Sequence, residues 1–191
     1  MNDTYKYDVF ISYRRSNLIE PWVTNYFLKL FTQWLTEKLQ ERSGEIPKIF
    51  FDQIDNEPGV HWPENLQNAV KTSKILLSIC SPSYFYSAWC KSEWESFSER
   101  ERILGINGLR IPVRHNDCEN FLGGIAWSDF YGYTFLAKDF YQSIQATIFE
   151  KKVEDLATIV ADAICAAPPF DNSWPALIIP PSSPTIPMQR L

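Results

Sequence analysis

The sequence has little of what marks several common function classes. Its four cysteines, Cys80, Cys90, Cys118 and Cys165, are scattered and form no CxxC pair. Its two histidines, His61 and His115, add no zinc-ligand spacing to them. No metal site is expected, and the thiols are read as small core hydrophobes kept reduced. No apolar run approaches the roughly 20 residues that a membrane-spanning helix needs, so no membrane role is expected. The opening MNDTYKYDVF has neither a basic flank nor a long apolar core. No secretory signal is therefore read there, and a cytoplasmic setting is expected. Basic charge is short as well: 18 Lys and Arg stand against 23 Asp and Glu, a net charge of −5. A general nucleic-acid binder would carry a basic footprint, so direct nucleic-acid binding is not expected. No internal repeat is visible.

What is present suits one well-packed domain: 191 residues, 45% hydrophobic and 15% aromatic. YDVFISY (7–13) has the short, apolar, β-rich character of a buried strand. In residues 20–42, Trp22, Val23, Tyr26, Phe27, Leu30, Phe31, Trp34, Leu35 and Leu39 recur at helical spacing. Pro21 fits that helix's first turn. KIFFD (48–52) is a second strand, and 53–65 has loop chemistry. A short helix begins near Pro63 and runs through 66–73. KILLSIC (74–80) is the clearest buried strand. SPSYFYS (81–87) is read as a turn, followed by a helix to about residue 103. LRIPVRH (109–115) is a fourth strand whose Pro112 hints at an edge or bulge. A fifth strand is placed around 131–137, and a final amphipathic helix over 141–167. Residues 168–191 hold seven of the chain's 13 prolines. They are expected to form a tail or linker after a domain of residues 1–167, docked through Trp174 and Leu177–Ile179.

Strands alternating with helices imply a parallel sheet covered on both faces. Sheets of this size commonly run 2-1-3-4-5, and ligands bind beyond the carboxyl ends of the strands where the winding reverses. That rule selects the segment leaving the first strand (Ser12, Tyr13, Arg14, Arg15, Ser16) and the one leaving the third (Ser81, Pro82, Ser83). Arginine suits phosphate, because its planar fork donates parallel bonds. Solvated charges at a strand end explain Arg14 and Arg15 equally well. Within SAWCKSEWES (87–96), taking 100° per residue from Cys90, Trp94 falls at about 40° and Phe97 at about −20°. Glu95 and Glu99, at about 140° and 180°, face solvent. Glu93, at about −60°, sits on the shoulder of the buried face. It alone of the three can be partly desolvated and still reach a cleft; an ordinary boundary glutamate is the plainer reading of periodicity alone.

Three stretches then carry a resemblance. DVFISYRR (8–15), PGVHWPENLQNAV (58–70) and KILLSICSPSYFYSAWCKSE (74–93) together resemble a TIR (Toll/interleukin-1 receptor) domain of the bacterial, NAD-cleaving type. The family's serine-x-tryptophan-cysteine-x-x-glutamate signature falls on Ser87, Trp89, Cys90 and Glu93. The resemblance covers residues 5–165 and implies an α/β, flavodoxin-like, doubly wound five-stranded parallel sheet of order 2-1-3-4-5. It implies that Glu93 is catalytic and that NAD+ is a substrate, with no cofactor. It also implies self-association through TIR–TIR contacts, helped by the loop at 53–62, and a fused or associated sensor module. Arg14 or Arg15 would hold the diphosphate, and Tyr13 or Trp62 would stack on a base, packing being the ordinary role of Trp62. Ser81, Ser87 and Trp89 complete the expected substrate site, with helix capping as the alternative role of Ser87 and packing that of Trp89. The leading expectation is an NAD+ glycohydrolase or ADP-ribosyl cyclase in bacterial immunity. The alternative is a non-enzymatic scaffold acting by TIR–TIR association. A phosphorylated receiver would need aspartates at the strand ends, and KILLSICSPS offers none.

Overall fold

The computed structural model of the chain describes residues 4–51, 62–133 and 140–176. Strand β1 is Tyr7–Tyr13. Helix α1 (Ile19–Trp22) runs through a π turn at Val23–Phe27 into α2 (Leu28–Ser43). Then come β2 (Ile49–Phe51), α3 (Trp62–Lys71) and β3 (Ser73–Cys80). A short helix α4 (Pro82–Tyr86) leads into α5 (Ala88–Leu104). β4 (Arg110–Arg114), β5 (Ser128–Asp129) and α6 (Ile144–Cys165) complete the order. The five strands form one sheet in the order β2-β1-β3-β4-β5, every neighbouring pair parallel.

The chain winds from β1 outward to β2, then reverses through β3, β4 and β5. Right-handed crossovers put α2 on one face of the sheet and α3 and α5 on the other. α6 packs beside α2. Both faces of the inner strands are thus covered, and Val9, Phe10, Ile11, Ile75, Leu76, Leu77 and Ile79 are buried. Each long crossover helix stops at a glycine in the left-handed region, Gly44 at φ 73° after α2 and Gly105 at φ 65° after α5.

Two expectations need correction. Residues 81–87 hold α4 and not only a turn: Ser81 caps its amino end and Pro82 takes the first position. The fifth strand lies earlier than expected, at Ser128–Asp129. Residues 131–133 are a turn, with Gly132 at φ 90°, while 134–137 lie outside the described residues. The aromatic run drew the expectation, but Phe130 is fully buried and its backbone N–H donates to Arg114 O as the strand ends.

Pro112 sits inside β4, opposite Ser78 of β3. Leu109 O accepts from Leu76 N, and His115 N donates to Cys80 O. The odd-numbered residues of β4 therefore bond to β3, and Pro112 turns its missing N–H the other way. On that side β5 pairs only with Val113 and Arg114, so the proline stands at a half-open edge.

Candidate functional site

The winding reverses between β1 and β3, whose carboxyl ends lie in register: Ser12 pairs with Ser78 and Tyr13 with Ile79. Helix α5 begins just beyond β3. Its N-cap is Ser87, whose Oγ accepts from Cys90 N at 3.4 Å. Counting from that cap, the inward face falls as the angles predict: Cys90, Trp94 and Phe97 are buried, Glu95 is exposed, and Glu99 pairs with Arg102 at the surface. Glu93 is only 7% exposed, and Ser12 Oγ is hydrogen-bonded to its Oε2. The carboxylate thus lies at the carboxyl end of β1, at the topological switch point.

A polar cluster surrounds it. Tyr84, fully buried on α4, lies with its hydroxyl 2.9 Å from Ser12 Oγ. Cys90, one turn before Trp94 on the same face of α5, lies beside Ser12. Burial, then the Glu93 charge, pushes the Cys90 thiol up to about 12. Burial, then Cys90 and Glu93, holds the Tyr84 phenol well above its usual value. Both groups remain protonated donors at neutral pH. Arg14, exposed at the end of β1, acts electrostatically on Cys90 in the opposite sense, which places a guanidinium charge near the cluster.

The other expected residues divide. Tyr13 is half-buried and stacks on Phe51 of β2 at 5.4 Å, so one ring face is used in packing. Arg15 is half-buried at the same strand end. Ser81 is 2% exposed; its Oγ accepts from Tyr84 N at 3.3 Å and lies 2.9 Å from Ser83 Oγ. Ser81 is therefore a helix cap that positions Tyr84. Ser87 caps α5, as its alternative role had it, and Trp89 packs half-buried against the core. Trp62 opens α3, but its side chain and the loop at 53–61 lie outside the described residues.

The winding rule selected Ser12 without giving it a role, and sequence reasoning passed over Tyr84 and Glu101 altogether. Glu101 had a signal, since the same angular count places it at about 20°, on the inward face. It is 5% exposed and accepts from Leu109 N, Arg110 N and Arg110 Nε at 2.8, 3.0 and 2.7 Å. That acid ties the end of α5 to the start of β4, at the sheet end away from Glu93. Among the described residues, no group of three or more His, Cys, Asp or Glu side chains could hold a metal ion, and no helix is long and apolar enough to cross a membrane.

A doubly wound parallel sheet of order 2-1-3-4-5, with a buried acid at its switch point, defines a flavodoxin-like α/β protein. A family model described as TIR domain matches residues 9–146, and the chain belongs to that family. The chain is 34% identical over 89 residues to Toll-like receptor 13 of Mus musculus, a match covering 47% of this chain and 8% of the receptor. It thus spans under a tenth of that relative's length. Among solved structures, the TIR domain of the Toll-related receptor TRR-2 from Hydra magnipapillata aligns with a TM-score of 0.42 and 25% identity, covering 77% of this chain and 98% of that one. The TIR domains of the activated Roq1 resistosome align with a TM-score of 0.44 and 19% identity, covering 82% and 84%.

Proposed function

We propose that this TIR domain cleaves NAD+ between nicotinamide and ribose, with Glu93 as the catalytic carboxylate. The observation that carries the reading is the placement of Glu93: 7% exposed, at the carboxyl end of β1, and held by Ser12. Nicotinamide in NAD+ is cationic and leaves as a neutral ring, so the leaving group needs no general acid, unlike that of an ordinary glycoside. The bond electrons go to the pyridinium nitrogen, and an oxocarbenium-like ribose remains. A carboxylate in a water-poor site stabilises that cation more in the transition state than in the ground state. Water then adds at the anomeric carbon and releases a proton, giving ADP-ribose; attack by the adenine in place of water gives a cyclic product. Arg14 or Arg15 holds the diphosphate, and a ring of Tyr13 or Trp62 stacks on a base.

In this reading the domain self-associates, a neighbouring copy completes the site, and a fused or associated sensor, following the tail at 168–191, sets activity. A bacterial immune role by NAD+ depletion or a cyclic signal follows from that chemistry. The unpaired cysteines suit a reducing cytoplasm. Concentrated wild-type protein should release nicotinamide from NAD+, read by etheno-NAD fluorescence and by mass spectrometry of the products. Glu93→Gln, which keeps shape and hydrogen bonding but removes the charge, should lower the rate by at least about a hundredfold. Equal rates for the two proteins would overturn the reading.

A second reading is a non-enzymatic scaffold. The similarity to a Toll-like receptor favours it, and Glu93 then serves to clasp α5 to β1. In that case the assembled protein leaves NAD+ intact.

A further inference from the structure

We propose that Ser12 and Tyr84 are positioning residues for Glu93, forming a directed hydrogen-bond relay from Tyr84 through Ser12 to the carboxylate. The inference rests on the reading of Glu93 as catalytic. Three elements meet at the Ser12 hydroxyl: β1 carries Ser12, α4 carries Tyr84, and α5 carries Glu93 and Cys90. Ser12 has one hydroxyl proton and two lone pairs. An ionised carboxylate only accepts, so the proton goes to Glu93 Oε2. Tyr84, 2.9 Å away, must then donate to Ser12 Oγ. Ser12 thereby gives one bond and receives one, and its single proton is committed to Glu93.

Each part of the relay is held separately. Ser12 lies in the strand ladder opposite Ser78 and is 2% exposed. Tyr84 is fully buried, and the cap at Ser81 sets the helix that carries it. Phe85, the next residue, lies edge-on to Trp94 of α5 at 5.5 Å, which ties the two helices together. A carboxylate on a glutamate side chain has three rotatable bonds. Fixing one oxygen from the β1 side aims the group without neutralising it, and such preorganisation is worth most where water is scarce.

Steady-state NAD+ cleavage by the full chain tests the relay. Ser12→Ala should lower kcat by about ten- to a hundredfold, the scale of a hydrogen bond to a charged group, with KM within about twofold of wild type. Ser12→Thr, which restores the hydroxyl, should recover most of kcat; a purely structural role for Ser12 predicts no such rescue. Tyr84→Phe removes one oxygen atom and keeps the ring, so it decides the matter if Ser12→Ala does not fold; its kcat should fall about tenfold. Normal kcat in folded Ser12→Ala or Tyr84→Phe, alongside a wild type that Glu93→Gln inactivates, would sink the relay alone. Equal turnover in wild type and Glu93→Gln would remove the catalytic assignment, and the relay with it.

Discussion

His115 follows β4 and is 3% exposed, with neither ring nitrogen hydrogen-bonded. It lies edge-on to Trp22 at 4.7 Å, and burial lowers its pKa from 6.5 to about 4. Above pH 6.5 the ring is neutral in the folded and unfolded chain, and its titration costs nothing. Below that, only the unfolded chain takes up the proton, so stability falls with pH until about 4, where the folded ring also titrates. At pH 5 the loss from this one group should be about 2 kcal/mol. His115→Leu should remove that component, making the difference between urea unfolding free energies at pH 7 and pH 5 about 2 kcal/mol smaller than in wild type. An unchanged difference would show that the ring finds a partner in solution. Two carboxylates make a contrasting case. Asp8 opens β1 at the end of the sheet opposite Glu93, where it accepts from Lys48 N at 2.8 Å and pairs with Lys74 at 2.8 Å. Its position there disqualifies it from the switch point, and helical angle singled out Glu93 among its neighbours.

At the scale of elements, α5 does most to build the site. Its amino end is capped by Ser87, its middle presents Cys90, Glu93 and Trp94, and its last turns carry Arg100 and Glu101 into the core. Ser87→Ala should cost about 1 kcal/mol of stability, by loss of the bond to Cys90 N, and should lower kcat for NAD+ only a few-fold. A larger fall in kcat than in Tm would assign the Ser87 hydroxyl to substrate. The elements themselves were largely legible, because period-2 and period-3.6 patterns are local properties of the chain. β1, α2, β3 and α5 fell where the pattern put them. The π turn at Val23–Phe27 was not legible, since its apolar spacing reads as ordinary helix. Nor was α4, whose five residues are too few to show a period. β5 pairs over only two residues, and a strand that short carries no alternation to detect.

At the scale of the molecule, residues 168–176 return to the domain. Tyr5 donates its hydroxyl to Pro168 O at 2.8 Å, and its ring meets Phe170 and Trp174 at 5.4 and 5.5 Å. Arg100, fully buried, donates to Ser73 O and Val70 O at 2.8 and 3.1 Å. Its guanidinium lies 4.3 Å from both the Phe97 and Trp174 rings. Trp174, 4% exposed, thus closes over a cation that serves the carbonyl end of α3. Trp174→Ala should lower the unfolding free energy by about 3 kcal/mol and Tm by roughly 6–10 °C in thermal melts. An unshifted Tm would mean that the segment does not dock in solution. Arg100 lies two helical turns from Glu93 on α5, so the same variant should be assayed for NAD+ turnover.

The sequence by itself determined the α/β class, the order of the major elements, the end of the sheet where the candidate site lies, and the angular position of Glu93. Each follows from local periodicity or from the winding rule for parallel sheets. Only the tertiary structure decided that Tyr84 would reach Ser12 from 72 residues away, that Glu101 would join α5 to β4, and that Trp174 would cover Arg100. Those pairings bring together side chains remote in sequence, and the packing of whole elements against the sheet selects them, which no local pattern encodes.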